Sequence, residues 1–397
     1  MQELMRQPSE DHIVSACASP RIHLVYLTNI SSPYRVEMVE AWANMNPRLR
    51  VSVRYTDPTD QGRGWSVRNI RGADEKRLPV LLNLGRYGKL NRGLFNLVQD
   101  ADVLMIGGFE QASYLVSALL ARVLGKPVIL LFDGFSPTRF HHERFPILAL
   151  KRVTAKLCSG FFANGRVGRR YLEECIGVDP RKPIFNQFLS HSDEHIAHAR
   201  KRFTGLDKTE IRTRLGLPTH SRIVLSCGYL IRRKRVDLVI EAIARLPLDR
   251  RPLLLIVGSG PLREELDQLA TYHGVDTYFA GFKQGADLAH YYFASDAMAL
   301  ASEDDPWGLV VNEAMSAGLP VVVSDACGAA EDLVMEGRNG FIFRNRDVLA
   351  LTESLERLIA SDMTLMGHAS REIIQAWTSQ RSAANLASCV DAVLNRP

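Results

Sequence analysis

The sequence has no paired cysteines and no long apolar run. Its six cysteines are scattered singly along 397 residues, without C-x-x-C or metal-ligand spacing, so we predict reduced thiols and no disulfide framework. A transmembrane helix needs about 18 consecutive apolar residues. The longest mainly apolar stretch, residues 114–132, is interrupted by Arg122 and by a turn at 125–127. It therefore predicts a helix, a turn and a strand instead of a transmembrane helix. Residues 1–20 are polar and acidic, unlike a signal peptide, so we expect a tail there and a cytoplasmic protein.

The sequence also has little net charge. It carries 49 basic and 44 acidic residues, giving a formal net charge of +5 and a pI of about 8.9. No basic run is interleaved with stacking aromatic residues, so we expect no nucleic acid partner. Short-period repeats and low-complexity tracts are likewise missing from the sequence. For this length, these absences favour a globular chain of two or three domains.

Short apolar runs alternate with amphipathic stretches along most of the chain. Hydrophobic residues make up 46% of the sequence, which is enough for large cores. The runs are nearly continuous rather than alternating with polar residues, which is typical of parallel strands covered by helices on both faces. Eleven strands are predicted, at residues 22–28, 50–56, 101–108, 126–134, 159–165, 222–230, 252–260, 276–282, 296–302, 319–325 and 340–345.

The alternation of strands and helices predicts α/β domains of the doubly wound, Rossmann-like kind. A charged stretch without a strand, near residues 190–215, separates two series of strands. We therefore predict a tail at 1–20, an N-terminal domain at 21–200, a C-terminal domain at 201–375 and a helix at 376–397 that packs back across the domains. The carboxyl ends of the two sheets are expected to face each other across a cleft where ligands bind.

The stretch EDDPWGLVVNEAMSAGLPVVVSD, residues 303–325, places acids in otherwise apolar sequence. Asp305 precedes a proline and can cap a helix that Gly318 ends. Glu313 lies within that helix, and a buried acid is costly unless something satisfies it, so we expect Glu313 to point into the cleft. The first N–H groups of the helix favour phosphate, and Gly308 would let a ligand approach the backbone. A purely structural cap at Asp305 is the alternative.

Four consecutive cations follow the sixth predicted strand, and they are Arg232, Arg233, Lys234 and Arg235. They begin a predicted helix at 235–246, where positive charge opposes the helix dipole. An anionic ligand would offset this cost, and a solvated surface loop is the alternative. Together with residues 303–325, the loop predicts a pocket in which cations and amides hold a diphosphate while acids hold sugar hydroxyls.

These segments resemble a known family. GYLIRRKRVDLVIEA, IVGSGP, FAGF, ALASEDDPWGLVVNEAMSAGLPVVVSD and EGRNGFIF follow one another in the order and spacing of the family-4 (group 1) glycosyltransferases. LTNISSPYRVEMVEAW is similar to the opening strand, loop and helix of the same family. The resemblance covers the whole C-terminal domain. It implies the GT-B fold, a retaining reaction, and a nucleotide diphosphate sugar as co-substrate without a metal or other cofactor.

The resemblance also implies roles for individual residues. In the Glu-x7-Glu pair of the family, the second acid falls on Glu313, which would bind the ribose, and the first on Asp305, near the transferred sugar. Lys234 takes the place of the phosphate-binding lysine. Further donor-site residues are expected to be Arg232, Arg233, Gly228, Gly258, Phe282, Trp307, Gly308, Leu309 and Val310, with Phe282 beside the base.

Two positions of the donor site depart from the family pattern. Asp305 is one methylene shorter than the usual glutamate, and Tyr229 replaces an arginine whose charge Arg232 or Arg233 would supply. In the N-terminal domain, many members carry a histidine where the fourth strand ends, and here Asp133 stands there. Asp133 would orient the acceptor hydroxyl or stabilise positive charge on the sugar, and capping the next loop is the alternative.

Two histidines and two aspartates are further candidates for functional residues. His141 and His142 follow Asp133 on one loop and either enter the cleft or lie on the surface. Asp100 and Asp102 have the D-x-D form of a metal site, but they precede a strand instead of following one, so we predict no metal site.

The predicted function is transfer of a hexose from a nucleotide diphosphate sugar to an acceptor hydroxyl, with retained configuration, in polysaccharide or glycolipid assembly. Asp305, Glu313, Asp133 and Lys234 are the predicted catalytic residues. The alternatives are a nucleotide-sugar epimerase of the same fold and an inactive sugar-nucleotide-binding protein. An NAD-dependent oxidoreductase is disfavoured because no G-x-G-x-x-G follows the first strand.

The stretch RFPILALKRVTAKL, residues 144–157, predicts a basic amphipathic helix. Such a helix can contact an anionic membrane, which would place the protein at the inner membrane face with a saccharide or lipid-linked saccharide as acceptor. The alternative is a helix that buries its apolar face on its own sheet.

Overall fold

The computed structural model describes residues 21–58, 67–140, 142–190 and 207–395, together with Ile196 and Lys201. The predicted tail at 1–20, the residues around the predicted domain boundary at 200, and His141 lie outside the described residues. The described chain forms two parallel sheets and one short hairpin, with strands numbered β1 to β15 in chain order.

The N-terminal sheet contains, within the described residues, seven parallel strands in the order β3-β2-β1-β6-β7-β8-β9. Most of them come from predicted apolar runs, but β3 is a polar edge strand of sequence DEKR that no hydrophobic pattern announces. The strands are β1 (Ile22–Thr28), β2 (Leu49–Tyr55), β3 (Asp74–Arg77), β6 (Val103–Ile106), β7 (Val128–Phe132), β8 (Gly160–Ala163) and β9 (Ile184–Asn186).

Helices cover both faces of this sheet. Side chains along β1 alternate between two cores, with Leu24 packed in the core that contains Trp42 and Val25 in the core that contains Tyr114. A strand buried on both faces needs apolar residues at every position, which explains its continuous apolar run. The helices are Pro33–Met45, Leu94–Asp100, Ala112–Val123, Phe145–Leu157 and Gly165–Arg170, the last continuing as a π-helix at Tyr171–Ile176.

The C-terminal sheet has, in the part of the chain that is described, six parallel strands in the order β12-β11-β10-β13-β14-β15. They are β10 (Ile223–Cys227), β11 (Leu253–Val257), β12 (Thr277–Gly281), β13 (Ala297–Leu300), β14 (Val321–Ser324) and β15 (Gly340–Phe343). The helices are Lys208–Arg214, Val236–Arg245, Arg263–His273, Ala286–Ala294, Leu309–Ala317, Gly328–Leu333, Val348–Ala360 and Met363–Ile374. The two doubly wound sheets confirm the predicted Rossmann-like fold, and all eleven predicted strands are present.

The last helix, Ser379–Leu394, packs on the N-terminal sheet although it follows the C-terminal sheet in sequence. Its Ser382 Oγ accepts a hydrogen bond of 3.1 Å from Trp42 Nε1. Just before this helix, the Trp377 ring lies between the two domains, 4.8 Å from the Trp307 ring and 5.1 Å from the Phe188 ring, measured between centroids. The chain therefore returns to the first domain at its end.

A hairpin of β4 (Val80–Asn83) and β5 (Lys89–Asn91) stands beside the N-terminal sheet. Asn91 Nδ2 donates a hydrogen bond of 3.0 Å to the Thr56 carbonyl, directly after β2, and Lys89 forms an ion pair with Asp57. The hairpin is therefore anchored at the carboxyl end of β2.

The helix Phe145–Leu157 buries one face on its own sheet. This is the arrangement that the sequence offered as the alternative to a helix in contact with a membrane. Leu148 and Leu157 pack against the core, Lys151 Nζ contacts Glu143, and Arg152 donates a hydrogen bond of 2.9 Å to the Cys175 carbonyl. Among the described residues, no helix is long and apolar enough to cross a membrane.

Candidate active site

Two glycines form the floor of the candidate site at the carboxyl ends of β10 and β11. Gly228 and Gly258 have positive φ angles of 148° and 153°. The Gly258 backbone packs so closely on the Gly228 carbonyl that a Cβ at Gly258 would overlap it. Both positions were predicted to bind substrate, and the structure adds a packing reason for Gly258 and a positive φ angle for Gly228, which favour glycine at each position.

Lys234 and Asp305 meet above this floor. The Lys234 side chain crosses Gly228, with its Cε 3.7 Å from the place where a Cβ would stand. Lys234 Nζ donates a hydrogen bond of 2.5 Å to Asp305 Oδ2. The Asp305 carboxylate is buried, and Ser302 Oγ lies 3.4 Å from the same oxygen. Two predicted catalytic residues that are 71 positions apart in sequence thus form one ion pair at the end of β10.

The acids at 303–305 also offset the other cations of the loop. Arg235 pairs with Glu303, and the Arg233 guanidinium donates to the Asp304 carbonyl at 3.0 Å. Lys234 and Arg235 therefore have protein carboxylates as partners, and an anionic ligand at this loop stays a prediction. Arg232 is exposed, and none of the described residues pairs with it.

The helix that carries Glu313 starts later than the sequence predicts. It spans Leu309–Ala317 and is preceded by Gly308 in the left-handed conformation, so Asp305 does not cap it. A Cβ at Gly308 would lie 2.5 Å from Cys327 Sγ, so packing on Cys327 requires a glycine at this position, and access for a ligand stays a prediction. Gly318 ends the helix in the left-handed conformation, as predicted.

Trp307 does not present its ring to the site, contrary to its predicted role in substrate binding. The indole is buried, its Nε1 donates to Asn312 Oδ1 at 2.9 Å, and the ring packs against Trp377 at an interplanar angle of 32°. Asn312 in turn donates a hydrogen bond of 3.1 Å to the carbonyl of Leu189 in the first domain. Trp307 and Asn312 therefore join the two domains, and the tryptophan side chain has no free surface for a sugar.

Glu313 lies half-buried beside the end of β10. The Tyr292 hydroxyl donates a hydrogen bond of 2.6 Å to Glu313 Oε2 and also lies near the Cys227 thiol. Burial raises the pKa of Glu313 to about 7, although the Tyr292 hydrogen bond acts in the opposite direction by favouring the ionised form. Tyr292 was not anticipated from the sequence, because it lies on a different helix, 21 residues away.

Asp133 follows β7 at the carboxyl edge of the N-terminal sheet. It pairs with Arg35, which is buried, and accepts a hydrogen bond of 2.9 Å from Gln187 Nε2. Neither partner was predicted. Arg35 could have been identified from the sequence, because it is a charged residue within the apolar face of the first helix, Pro33–Met45. A buried guanidinium demands an acid, and Asp133 supplies it while remaining partly exposed.

The segment after Asp133 touches the second domain. A Cβ at Gly134 would lie 2.6 Å from the Pro306 carbonyl oxygen, and Ser136 Oγ donates a hydrogen bond of 3.0 Å to the Ala326 carbonyl. Arg139 forms an ion pair with Asp304. The segments that carry Asp133 and Asp305 therefore lie side by side across the cleft.

The remaining predicted residues are spread over the rim of the site. Phe282 and Tyr229 are exposed, and Leu309 and Val310 are half-buried at the start of the Leu309–Ala317 helix. His142 is exposed on the loop after Asp133.

The D-x-D acids lie at the other edge of the N-terminal sheet. Asp102 Oδ2 accepts a hydrogen bond of 2.8 Å from the backbone N–H of His23, at the amino end of β1. The Asp100 carbonyl oxygen lies 2.8 Å from His23 Nδ1. These acids therefore face away from the cleft.

The C-terminal part of the chain is similar to known proteins. Residues 207–376 match the profile described as glycosyl transferases group 1. Over 170 residues the chain is 35% identical to the sulfoquinovosyl transferase SQD2 of Arabidopsis thaliana, covering 41% of this chain and 32% of that one. Over 187 residues it is 30% identical to LpsE of Rhizobium meliloti, a lipopolysaccharide core biosynthesis glycosyltransferase, covering 43% and 53%. The chain thus spans about a third to a half of the length of these relatives.

The fold of the whole chain is also found in solved structures. The crystal structure of Anabaena Alr3699/HepE in complex with UDP superposes with a TM-score of 0.70 at 18% sequence identity. The superposition covers 94% of this chain and 100% of that one, so both domains share the architecture.

Proposed function

We propose that the protein transfers a sugar from a nucleoside diphosphate to an acceptor hydroxyl, because residues 207–376 match the group 1 glycosyltransferase profile and the chain has the fold of solved structures such as HepE in complex with UDP. The reaction retains the anomeric configuration and moves a hexose. The observation that carries the proposal is the meeting of Lys234, Asp305 and Glu313 around the end of β10, beside the N-terminus of the Leu309–Ala317 helix.

The donor diphosphate binds between the cation loop and the start of that helix. Lys234 has three N–H donors and gives one to Asp305, so it can hold a phosphate oxygen with another. Arg232, which has no partner among the described residues, adds a second cation. As the sugar leaves, negative charge grows on the terminal phosphate, and these fixed cations and amides stabilise it without a metal ion. Glu313 accepts hydroxyl hydrogen bonds from the ribose.

The acceptor approaches from the first domain. Asp133, held in place by Arg35 and Gln187, orients the acceptor hydroxyl towards the sugar. The departing phosphate then takes the hydroxyl proton, so no covalent intermediate on the protein is required. The contacts of Gly134, Ser136 and Arg139 with the second domain keep water away from the reacting atoms.

The donor and acceptor classes are drawn from relatives. HepE binds UDP, which supports a UDP-sugar as the first donor to test. LpsE is named for lipopolysaccharide core biosynthesis, which supports a saccharide or lipid-linked saccharide as acceptor in glycolipid or polysaccharide assembly. Such an acceptor would place the protein at the cytoplasmic membrane face.

A thermal-shift panel with UDP-, GDP- and ADP-sugars tests the proposal, followed by a transfer assay with the stabilising donor. We expect one nucleotide class to raise the melting temperature and the sugar to appear on an acceptor with retained configuration. Interconversion of the free donor without acceptor would instead indicate an epimerase, and stabilisation without turnover would indicate an inactive binding protein. If no nucleotide sugar changes the melting temperature, the proposal is wrong.

A further inference from the structure

The β4–β5 hairpin exposes a cluster of apolar side chains. Its members are Leu81, Leu82, Leu84 and Tyr87, which are 46%, 52%, 43% and 41% exposed, and Phe95 just beyond, which is 51% exposed. The register of the hairpin shifts between Val80 and Leu82, so Leu81 is an extra residue and the regular alternation of side-chain directions is interrupted. Several exposed apolar side chains on one short hairpin can form an interaction surface.

The same segment carries only positive charge. Residues 76–92 contain three arginines and two lysines and no aspartate or glutamate. Lys89 is paired with Asp57, whereas Lys76 and Arg92 are exposed, and Arg86 donates a hydrogen bond of 2.7 Å to the Tyr87 hydroxyl beside the leucines.

The acids nearest in sequence are already occupied. Asp74 pairs with Arg54, and Glu75 accepts hydrogen bonds from Tyr55 and from the backbone N–H of Ile70. Among the described residues, no carboxylate pairs with Lys76, Arg86 or Arg92, so their positive charge is available to a partner.

The position of the hairpin relates it to the candidate site. It is anchored at the carboxyl end of β2, and Asp133 follows β7 at the same edge of the same sheet. Three strand spacings separate β2 from β7 in the order β2-β1-β6-β7, which is roughly 14 Å at the usual interstrand distance. An acceptor whose lipid is held at the hairpin would present its sugar within reach of the cleft.

We propose that the β4–β5 hairpin docks the protein on an anionic lipid bilayer. Leu81, Leu82 and Leu84 enter the headgroup region with Tyr87, while Lys76, Arg86 and Arg92 lie against anionic headgroups. A second copy of the chain fits this surface poorly, because pairing two hairpins would bring like charges together. Docking rests on the proposed function only for the nature of the acceptor, since binding to lipid needs no sugar transfer.

Vesicle co-sedimentation of the full chain tests the proposal. Wild-type protein should sediment with vesicles of phosphatidylglycerol and phosphatidylcholine at low salt, much less at high salt, and little with phosphatidylcholine alone. Replacing Leu82 and Leu84 with serine should lower the partition coefficient at least about tenfold, since two leucines no longer leave water. Arg86→Gln and Arg92→Gln should lower it by about fivefold each.

A matched control uses another exposed apolar pair. Phe145→Ser with Val153→Ser alters the helix Phe145–Leu157, where the two side chains are 78% and 49% exposed, and should leave sedimentation at the wild-type level. A Leu82→Trp variant adds a direct readout: its fluorescence should be quenched by brominated lipid more strongly than that of the wild type.

Four results would overturn the proposal. They are unchanged sedimentation of the leucine variant, loss of sedimentation in the control variant, equal binding to neutral vesicles, and a hairpin-dependent dimer in analytical ultracentrifugation. Melting curves with and without UDP accompany every variant. A hairpin variant that loses vesicle binding but is still stabilised by UDP supports docking, whereas a wild type that binds vesicles but no nucleotide contradicts the proposed function alone.

Discussion

Replacing Glu313 with glutamine should remove a pH-dependent cost of folding. The carboxyl group has an ordinary pKa of 4.5 in the unfolded chain, and burial raises the pKa to about 7 in the folded protein. Between these values the unfolded chain releases the proton and the folded protein keeps it. Protonation of Glu313 therefore contributes fully to the free energy of unfolding below the pKa of the unfolded chain, and this contribution is lost as the pH rises through the pKa of the folded protein.

The size of the effect follows from the pKa difference. A shift of about 2.5 units at 1.36 kcal/mol each corresponds to about 3 kcal/mol, of which most falls between about pH 5 and about pH 8. Glutamine cannot ionise, so the free energy of unfolding of the wild type should fall by about 2–3 kcal/mol relative to Glu313→Gln over that range. Tyr292→Phe should move the loss to higher pH, because it removes the hydrogen bond that favours the ionised form.

Urea unfolding at about pH 5 and about pH 8, followed by circular dichroism, measures how the free energy of unfolding of each variant changes with pH. Glu356→Gln is the matched control, because Glu356 is an exposed acid on the helix Val348–Ala360 and keeps its hydration on folding. The control should differ from the wild type by the same small amount at each pH. If the gap between the wild type and Glu313→Gln is also constant with pH, the acid is not desolvated and the account of the site is wrong. Calorimetry with UDP on the same variant should show weaker binding.

Three further changes probe the charges of the site. Lys234→Ala should weaken UDP about 10- to 100-fold and uridine far less, because a charge-assisted contact is worth about 1.5–3 kcal/mol; equal losses in calorimetry would mean that Lys234 does not hold phosphate. Transfer activity should persist in excess EDTA, and a loss that Mn²⁺ or Mg²⁺ restores would refute the proposal that protein cations replace a metal. Asp133→Ala should lower the free energy of unfolding by about 1–3 kcal/mol, because it leaves buried Arg35 without its acid; an unchanged urea midpoint would argue against that pairing.

Strands were predictable from the sequence where burial on both faces imposes an apolar run. β7, with every residue buried, is the clearest case. β3 escaped prediction because its residues are all polar, and its pairing with β2 through the backbone and through the side chains of Asp74 and Glu75 leaves no hydrophobic pattern in the sequence. β9 is only three residues long and half-buried, too short for a hydrophobic pattern to develop.

The candidate site was predictable in its residue types but not in its pairings. The cations at 232–235 and the acids at 303–313 could be read from the sequence, because charges are costly beside buried elements. That Lys234 is held by Asp305 depends on the two strand ends meeting in space. The late start of the Glu313 helix follows from the left-handed conformation of Gly308. The burial of Trp307 between the domains depends on Trp377, in the segment that returns to the first domain.

The contact of Phe188, Trp377 and Trp307 has a mechanical consequence. The chain returns to the first domain between the helices Met363–Ile374 and Ser379–Leu394, and Trp377 in this returning segment contacts one ring of each domain. An opening of the cleft that kept both ring contacts would turn about Trp377 and would separate Arg139 from Asp304.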